Sequence, residues 1–273
     1  MLNLSVIMKI IKNTEIFKSA KWVILKDFYE DGGELFEYVF SEEKKDDISF
    51  YINIAREVGG DILEIACGSG RILIPMAKKG INVVGFDNSM TMLRLADKKI
   101  TQNRLKKKIQ IFLADMTDFA LKKKFNMAFV AYNTFNHIIS HEKQINTLMA
   151  VNNSLISGGT FVMEVIPYRK INFTGIVYRR TKYNKNLNLK IEAYSSTNYD
   201  HKKDIEIVTW FYLIKKEKKI ENMFRSTFLR KLIKMNDIYS MLKKCGFTNI
   251  NLYGNYNRDE NAEEKKIFIA RKK

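Results

Sequence analysis

Two acidic residues around a glycine turn carry the first chemistry in this chain. Glu64 lies within Asp61-Ile-Leu-Glu-Ile-Ala-Cys-Gly-Ser-Gly70, and Asp87 ends the next apolar run. Gly68 and Gly70 lack a Cβ, so backbone amides there can approach a ligand closely. Asp87 follows Gly68 by 19 residues, near the spacing at which nucleotide-binding α/β folds set a carboxylate on ribose hydroxyls. An acid on each of two neighbouring strands suits a cationic or polar nucleoside better than a pyrophosphate. His137 is the candidate proton acceptor, because an imidazole with an ordinary pKa of about 6.5 can take a proton from an amine or hydroxyl near neutral pH. Tyr132 and Asn133, just before it, would shape the point of reaction.

These residues need a sheet to hold them. Apolar runs and helical patterns alternate: strand 61–67, helix 70–79, strand 81–87, helix 89–100, strands 109–115 and 125–133, helix 141–156, strand 159–166. Continuous apolar strands are expected when helices cover both sheet faces. The pattern predicts a parallel α/β sheet with right-handed crossovers. Gly158-Gly159 reads as the end of a helix and the start of the fifth strand. Residues 171–232 instead alternate apolar and polar positions between polar breaks, as antiparallel hairpin strands do. They read as an insertion after the fifth strand, forming a lid or a dimer face. The core resumes with Asn236 as an N-cap, Ile238, Met241, Leu242 and Cys245 on one helical face, and Gly246 as the stop. Strands 248–254 and 266–271 would close it as a hairpin. Residues 1–45 read as a helical cap over the ligand site, 46–170 and 233–273 as the core.

Four motifs in order carry a family resemblance. Glu64-Ile-Ala-Cys-Gly-Ser-Gly-Arg-Ile72 resembles the first motif of class I S-adenosylmethionine-dependent methyltransferases, and Val84-Gly-Phe-Asp-Asn-Ser-Met-Thr-Met-Leu93 their second. Leu113-Ala-Asp-Met-Thr-Asp-Phe119 resembles the third and Ala131-Tyr-Asn-Thr-Phe-Asn-His-Ile138 the fourth. The likeness covers roughly residues 47–167 and continues weakly through Phe228-Leu-Arg230, Cys245-Gly-Phe247 and Tyr253-Gly-Asn-Tyr256. It is similar to the small-molecule branch that includes amino-sugar N-methyltransferases. The resemblance implies a Rossmann-like seven-stranded sheet and S-adenosyl-L-methionine as cofactor.

It also implies roles. Glu64 would sit near the methionine amino group, with the backbone of Ala66, Gly68 and Ser69 lining that moiety. Asp87 would take the ribose hydroxyls, Asn88 and Met92 would border ribose and adenine, and Asp115 would accept from the adenine amine between Ala114 and Met116. Arg71 matches an arginine of this branch, either supporting the cofactor or bracing the N-terminal helices. Phe28-Tyr29-Glu30 resembles an early tyrosine–aspartate pair, which places Tyr29 on the methionine carboxylate or the substrate. His137 would border the acceptor, with Tyr132 beside it, and Arg230 matches an arginine of the same branch, which would face the acceptor. Cys67 reads as a small buried side chain, since no basic partner activates it.

Composition bounds the rest. At 273 residues the chain can bury a full core, and no apolar run approaches a membrane span. The N-terminus lacks a basic leader and a cleavage site, with Met8 an alternative start, and two cysteines make no disulfide framework, so the reading is cytoplasmic. Three histidines without a cysteine cluster give no metal centre. The net charge of +17 is concentrated from Tyr168 onward, where 25 Lys/Arg face 11 Asp/Glu. It reads either as a surface for an anionic partner or as the composition of an AT-rich genome. Asn133-Thr134-Phe135-Asn136 is not the Asn/Asp-Pro-Pro-Tyr signature of nucleic-acid amino methyltransferases. The expectation is a monomer or homodimer that methylates nitrogen or oxygen of a small-molecule acceptor. An RNA methyltransferase and a non-catalytic S-adenosylmethionine-binding module are the alternatives.

Overall fold

The run Ile62–Ile65 is buried at all four positions and forms strand β2 at the middle of a sheet. The computed structural model describes residues 22–40, 46–169, 174–184, 187–217, 219–262 and 265–273. These form two compact units. The larger holds residues 46–169 and 231–273, the smaller the described residues up to 40 together with those from 174 to 230.

In the larger unit, β2, β3 (Val83–Asp87), β4 (Ile109–Leu113), β5 (Phe125–Val130) and β6 (Leu155–Glu164) pair in parallel. β11 (Phe247–Tyr253) and β12 (Ile267–Lys272) complete the sheet antiparallel, in the order β11-β12-β6-β5-β2-β3-β4. Between β2 and β5 the order reverses, the point at which sheets of this kind form a crevice beyond the strands' carboxyl ends. The two faces explain the continuous apolar strands. Leu63, Ile65, Phe86 and Val130 pack with Leu148 and Val151 of helix α5 (His141–Ser154) and with Ile238 and Leu242 of α6 (Met235–Lys244). Ile62, Val83, Met127 and Phe129 pack on the other face with α2 (Asp47–Val58), α3 (Leu73–Lys78) and α4 (Met90–Gln102). This is the Rossmann-like, seven-stranded arrangement that the motifs led us to expect.

Two local expectations fail. Helix α5 ends at Ser154, and Gly158-Gly159 lies inside β6. There the pairing jumps from Phe125↔Leu155 to Met127↔Thr160, so the glycines accommodate an irregularity within the strand, with Gly158 at φ +72°. Asn236 is not the cap of α6: Lys234 occupies that place without a side-chain cap, and Asn236 lies in the first turn.

The smaller unit holds the strands β1 (Val23–Leu25), β7 (Ile176–Asn184), β8 (Leu189–Asp200), β9 (Ile205–Lys216) and β10 (Lys219–Lys231). They form one sheet in the order β1-β10-β9-β8-β7. β7, β8 and β9 run antiparallel in turn. Helix α1 (Gly33–Phe40) supplies Val39 to a cluster with Ile191, Ala193 and Tyr212. Trp210 stacks along β9 on Tyr212 at 6.2 Å, a packing contact. The N-terminal segment is not purely helical: Val23–Leu25 pairs in parallel with Phe224–Ser226, extending the sheet. That three-residue apolar run is too short to show periodicity. The rest of the cap, residues 1–21 and 41–45, lies outside the described residues.

Candidate active site

Strand β2 runs straight into the glycine turn, which bends by taking left-handed backbone at Ala66 (φ +56°), Gly68 (φ +53°) and Gly70 (φ +84°). Glycine accepts this freely, whereas Ala66 pays about 1–2 kcal/mol for it. The surroundings must therefore hold the turn. The Cys67 amide donates to the Phe86 carbonyl at 2.8 Å and the Gly68 amide to Asp87 Oδ2 at 2.8 Å. Gly85 makes room for this approach: a Cβ there would stand 2.9 Å from the Cys67 Cβ. Burial, then the charges of Glu64 and Asp87, push the Cys67 thiol well up, so it stays protonated and unreactive.

Asp87 is 7% exposed and holds two backbone groups, with Oδ1 accepting from the Ser89 amide at 2.9 Å. Ser89 in turn caps α4 by accepting from the Met92 amide at 3.1 Å. One carboxylate thus locks the glycine turn to the start of the next helix. Met92 is buried, with its Cε 3.4 Å from where a Cβ on Gly68 would lie. Asn88 is exposed at the same strand end. Beyond β4, the Ala114 amide donates to the Asp87 carbonyl at 3.1 Å, so the third motif is tied to the second. Asp115 is exposed and accepts from the Thr117 amide at 2.8 Å, while Ala114 and Met116 pack on the core.

Glu64 is 4% exposed, and its Oε2 makes no hydrogen bond. Burial pushes its carboxyl up to about 8, against smaller lowering by Arg71 and the Leu73 backbone amide. Arg71 is half-committed elsewhere: its guanidinium grips the buried Asp47, at the start of α2, with both nitrogens at 2.8 and 2.7 Å. It therefore ties the start of α2 to the glycine turn. An orphaned buried carboxylate oxygen beside a turn of backbone amides fits the ammonium of an amino-acid moiety.

The pH consequences have definite signs. In the ligand-free protein Glu64 holds a proton that the unfolded chain, with a glutamate pKa of 4.5, would release; stability from this group falls as pH rises from 4.5 towards 8. A bound ammonium needs the carboxylate, so binding S-adenosylhomocysteine releases up to one proton. Its affinity should rise about tenfold per pH unit between 6 and 8, flattening as the ligand's own amine, pKa about 8, titrates. Calorimetry in two buffers of different ionisation enthalpy measures the proton count, and no released proton with pH-indifferent affinity would refute the assignment. In Glu64→Gln the dependence should vanish.

The fourth motif supplies the other side of the crevice. After β5 the chain takes two left-handed non-glycine residues in succession, Tyr132 (φ +57°) and Asn133 (φ +59°), then one turn of 3₁₀ helix, Thr134–His137. Such strain persists only where neighbours over-determine it. Glu164, 0% exposed at the end of β6, accepts from the Tyr132 amide at 3.3 Å and from the Tyr256 hydroxyl at 3.0 Å. The buried Asn136 accepts from the Ile166 amide at 2.8 Å and donates to the carbonyls of Ile166 and Lys231 at 2.9 and 2.6 Å. Tyr132 remains 45% exposed, with the Arg71 guanidinium 5.2 Å from its ring centroid. His137 is partly buried on the 3₁₀ turn.

One edge of the larger unit thus brings together Glu64, Ala66, Gly68, Ser69, Arg71, Asp87, Asn88, Met92, Ala114, Asp115 and Met116. Tyr132 and His137 follow the neighbouring strand β5. Tyr29 belongs to the smaller unit, where it packs edge-on against Phe28 and Phe36. Arg230 there pairs with the buried Glu206 at 2.7 Å. Asp47, Glu164 and Tyr256 went unpredicted, because contacts over long sequence separations leave no periodic trace. Among the described residues no group of three or more His, Cys, Asp or Glu side chains gathers as a metal site, and no helix is long and apolar enough to cross a membrane.

Residues 62–159 match a family model described as a methyltransferase domain. YqeM of Bacillus subtilis (strain 168), provisionally described as a methyltransferase, is 21% identical over 246 residues, covering 90% of this chain and 97% of YqeM. The sugar N-methyltransferase KedS8 from Streptoalloteichus sp superposes with a TM-score of 0.74 at 16% identity, over 94% of this chain and 97% of its own. CalS10, an amino pentose methyltransferase from Micromonospora echinaspora solved with S-adenosylmethionine bound, gives 0.69 at 16% identity, over 93% and 100%. Identities this low speak to a common fold.

Proposed function

We propose that this chain, an S-adenosylmethionine-dependent methyltransferase of the class I fold, methylates nitrogen or oxygen of a small molecule. The observation that carries the reading is the pairing, at one strand edge, of a buried carboxyl with one unpartnered oxygen (Glu64) and a turn-locking carboxylate (Asp87) with a strained segment leading to His137. The likeness to a sugar N-methyltransferase and to an amino pentose methyltransferase favours a small polar acceptor, and the first of them favours nitrogen between the two atoms.

The cofactor supplies a methyl group already activated by its sulfonium. What remains for the protein is orientation, exclusion of water and handling of one proton, of which orientation can be worth about 7–11 kcal/mol in ideal geometry. Glu64 is assigned to the methionine ammonium and Asp87 to the ribose hydroxyls. Asp115, with Ala114 and Met116, is assigned to the adenine. His137 is assigned to the acceptor's proton, and Tyr132 to the acceptor's approach. The basic C-terminal part would suit an anionic substituent on that acceptor.

Release of S-adenosylhomocysteine tests the reading. It should rise when a low-molecular-weight metabolite fraction is added and stay at background with total tRNA. Methylation of tRNA that falls steeply with salt would instead identify an RNA enzyme.

A further inference from the structure

We propose that Lys99 is a positioning residue for the cofactor: its ammonium fixes the second half of the glycine turn, which Asp87 leaves unheld. The inference rests on the reading that this turn binds the cofactor.

The first half of the turn is tied to β3 at two amides. Cys67 donates to the Phe86 carbonyl, and Gly68 donates to Asp87. The next residue, Ser69, is buried, and it is met from a different element. Lys99 Nζ donates to the Ser69 carbonyl at 3.2 Å and to Ser69 Oγ at 3.0 Å. Two of its three donors are thus spent on one residue. The lysine stands in the last turn of α4, between Ala96 and Ile100, which are both buried in the core. Its root is therefore fixed, and the ammonium at the helix C-terminal end also complements the helix dipole.

The geometry closes a loop. Asp87 holds Gly68, Ser89 after it caps α4 at the start, and Lys99 near the end of α4 returns to Ser69. The turn is clamped from both ends of a single helix. With the Ser69 carbonyl and hydroxyl both engaged by Lys99, the glycine turn is held in one bend before a ligand arrives. Preorganisation of that kind lowers the ordering cost of binding.

The test is calorimetric titration of S-adenosylhomocysteine into the full-length protein. Lys99→Met keeps the stem and loses the donors, and its affinity should fall about tenfold, the order expected for a lost charge-assisted hydrogen bond. Lys99→Arg should recover part of the loss, because a guanidinium can still reach both oxygens. Ser69→Ala keeps the carbonyl contact and should lose less than Lys99→Met, while the double variant should be no worse than Lys99→Met alone. Lys99→Gln serves the same comparison if methionine is not tolerated. A folded Lys99→Met or Lys99→Gln protein that binds with the parent's affinity overturns the proposal, even with a lowered thermal midpoint, since that pattern marks a purely structural lysine. A folded parent that binds no S-adenosylhomocysteine overturns the reading of the turn, and the proposal with it.

Discussion

Asp87→Ala should lower the affinity for S-adenosylhomocysteine by at least about 100-fold. The estimate follows from what the carboxylate does. Charge-assisted hydrogen bonds contribute about 1.5–3 kcal/mol each, and two ribose contacts together correspond to about 10²–10⁴-fold. The alanine variant also frees the Gly68 and Ser89 amides, which the carboxylate now holds at 2.8 and 2.9 Å. Binding is therefore lost twice, through the missing ligand contact and through a turn no longer pinned. Asp87→Glu separates the two. It keeps the charge while displacing the oxygens by one methylene, so weak binding there points to geometry as the decisive factor. Calorimetry checks both variants, and a near-parental affinity in Asp87→Ala removes the ribose assignment.

His137→Ala should act on a different quantity. A general base contributes about 10²–10⁴-fold to turnover, and the histidine lies on the 3₁₀ turn that follows β5, whereas the glycine turn follows β2. Turnover, measured as S-adenosylhomocysteine formed with an active metabolite fraction, should fall by about that factor. Cofactor affinity should stay within about twofold, because no cofactor contact is assigned to this side chain. His137→Gln, which keeps a hydrogen-bonding group but cannot take the proton, should resemble alanine. Unchanged turnover at neutral pH would remove His137 from the reaction.

The parts of this site that were legible in the sequence share a physical cause. A buried parallel strand is apolar at nearly every position, a turn that bends into the left-handed region draws glycine, and nucleotide-binding α/β folds place an acid at the end of the neighbouring strand. Those constraints are local, so Gly68, Gly70 and Asp87 stood out by residue type and spacing, and Glu64 as an acid inside an apolar run. The supports were not local. Asp47 stands at the end of a run of charged residues, the usual mark of a solvated surface, yet it is buried beneath Arg71. Lys99 meets Ser69 across 30 residues, and Glu164 meets Tyr132 across 32 and Tyr256 across 92. Nothing in the periodicity of a chain records such pairs.

The same distinction explains the local errors. Val23–Leu25 becomes a strand because it pairs with Phe224–Ser226, some 200 residues away. Gly158-Gly159 looked like a helix stop because glycine marks both helix ends and strand irregularities, and only the register of β5 and β6 distinguishes them. At Tyr132-Asn133 the residue types give no warning of left-handed backbone beyond asparagine's tolerance for it. The strain there is held by Glu164 and Asn136, themselves buried polar residues without a local pattern. The supporting residues around the site are therefore a structural finding.

The central claim is that the edge bearing Glu64, Asp87, Tyr132 and His137 transfers a methyl group to a small molecule. Incubation of the purified protein with methyl-labelled S-adenosylmethionine and a low-molecular-weight metabolite extract tests it directly. The account predicts label in an ultrafilterable product, with one S-adenosylhomocysteine formed per methyl group and the signal lost in Asp87→Ala. Label retained only in RNA, or tight S-adenosylhomocysteine binding with no labelled product above the protein-free control in extracts that do hold suitable amines and hydroxyls, would contradict it.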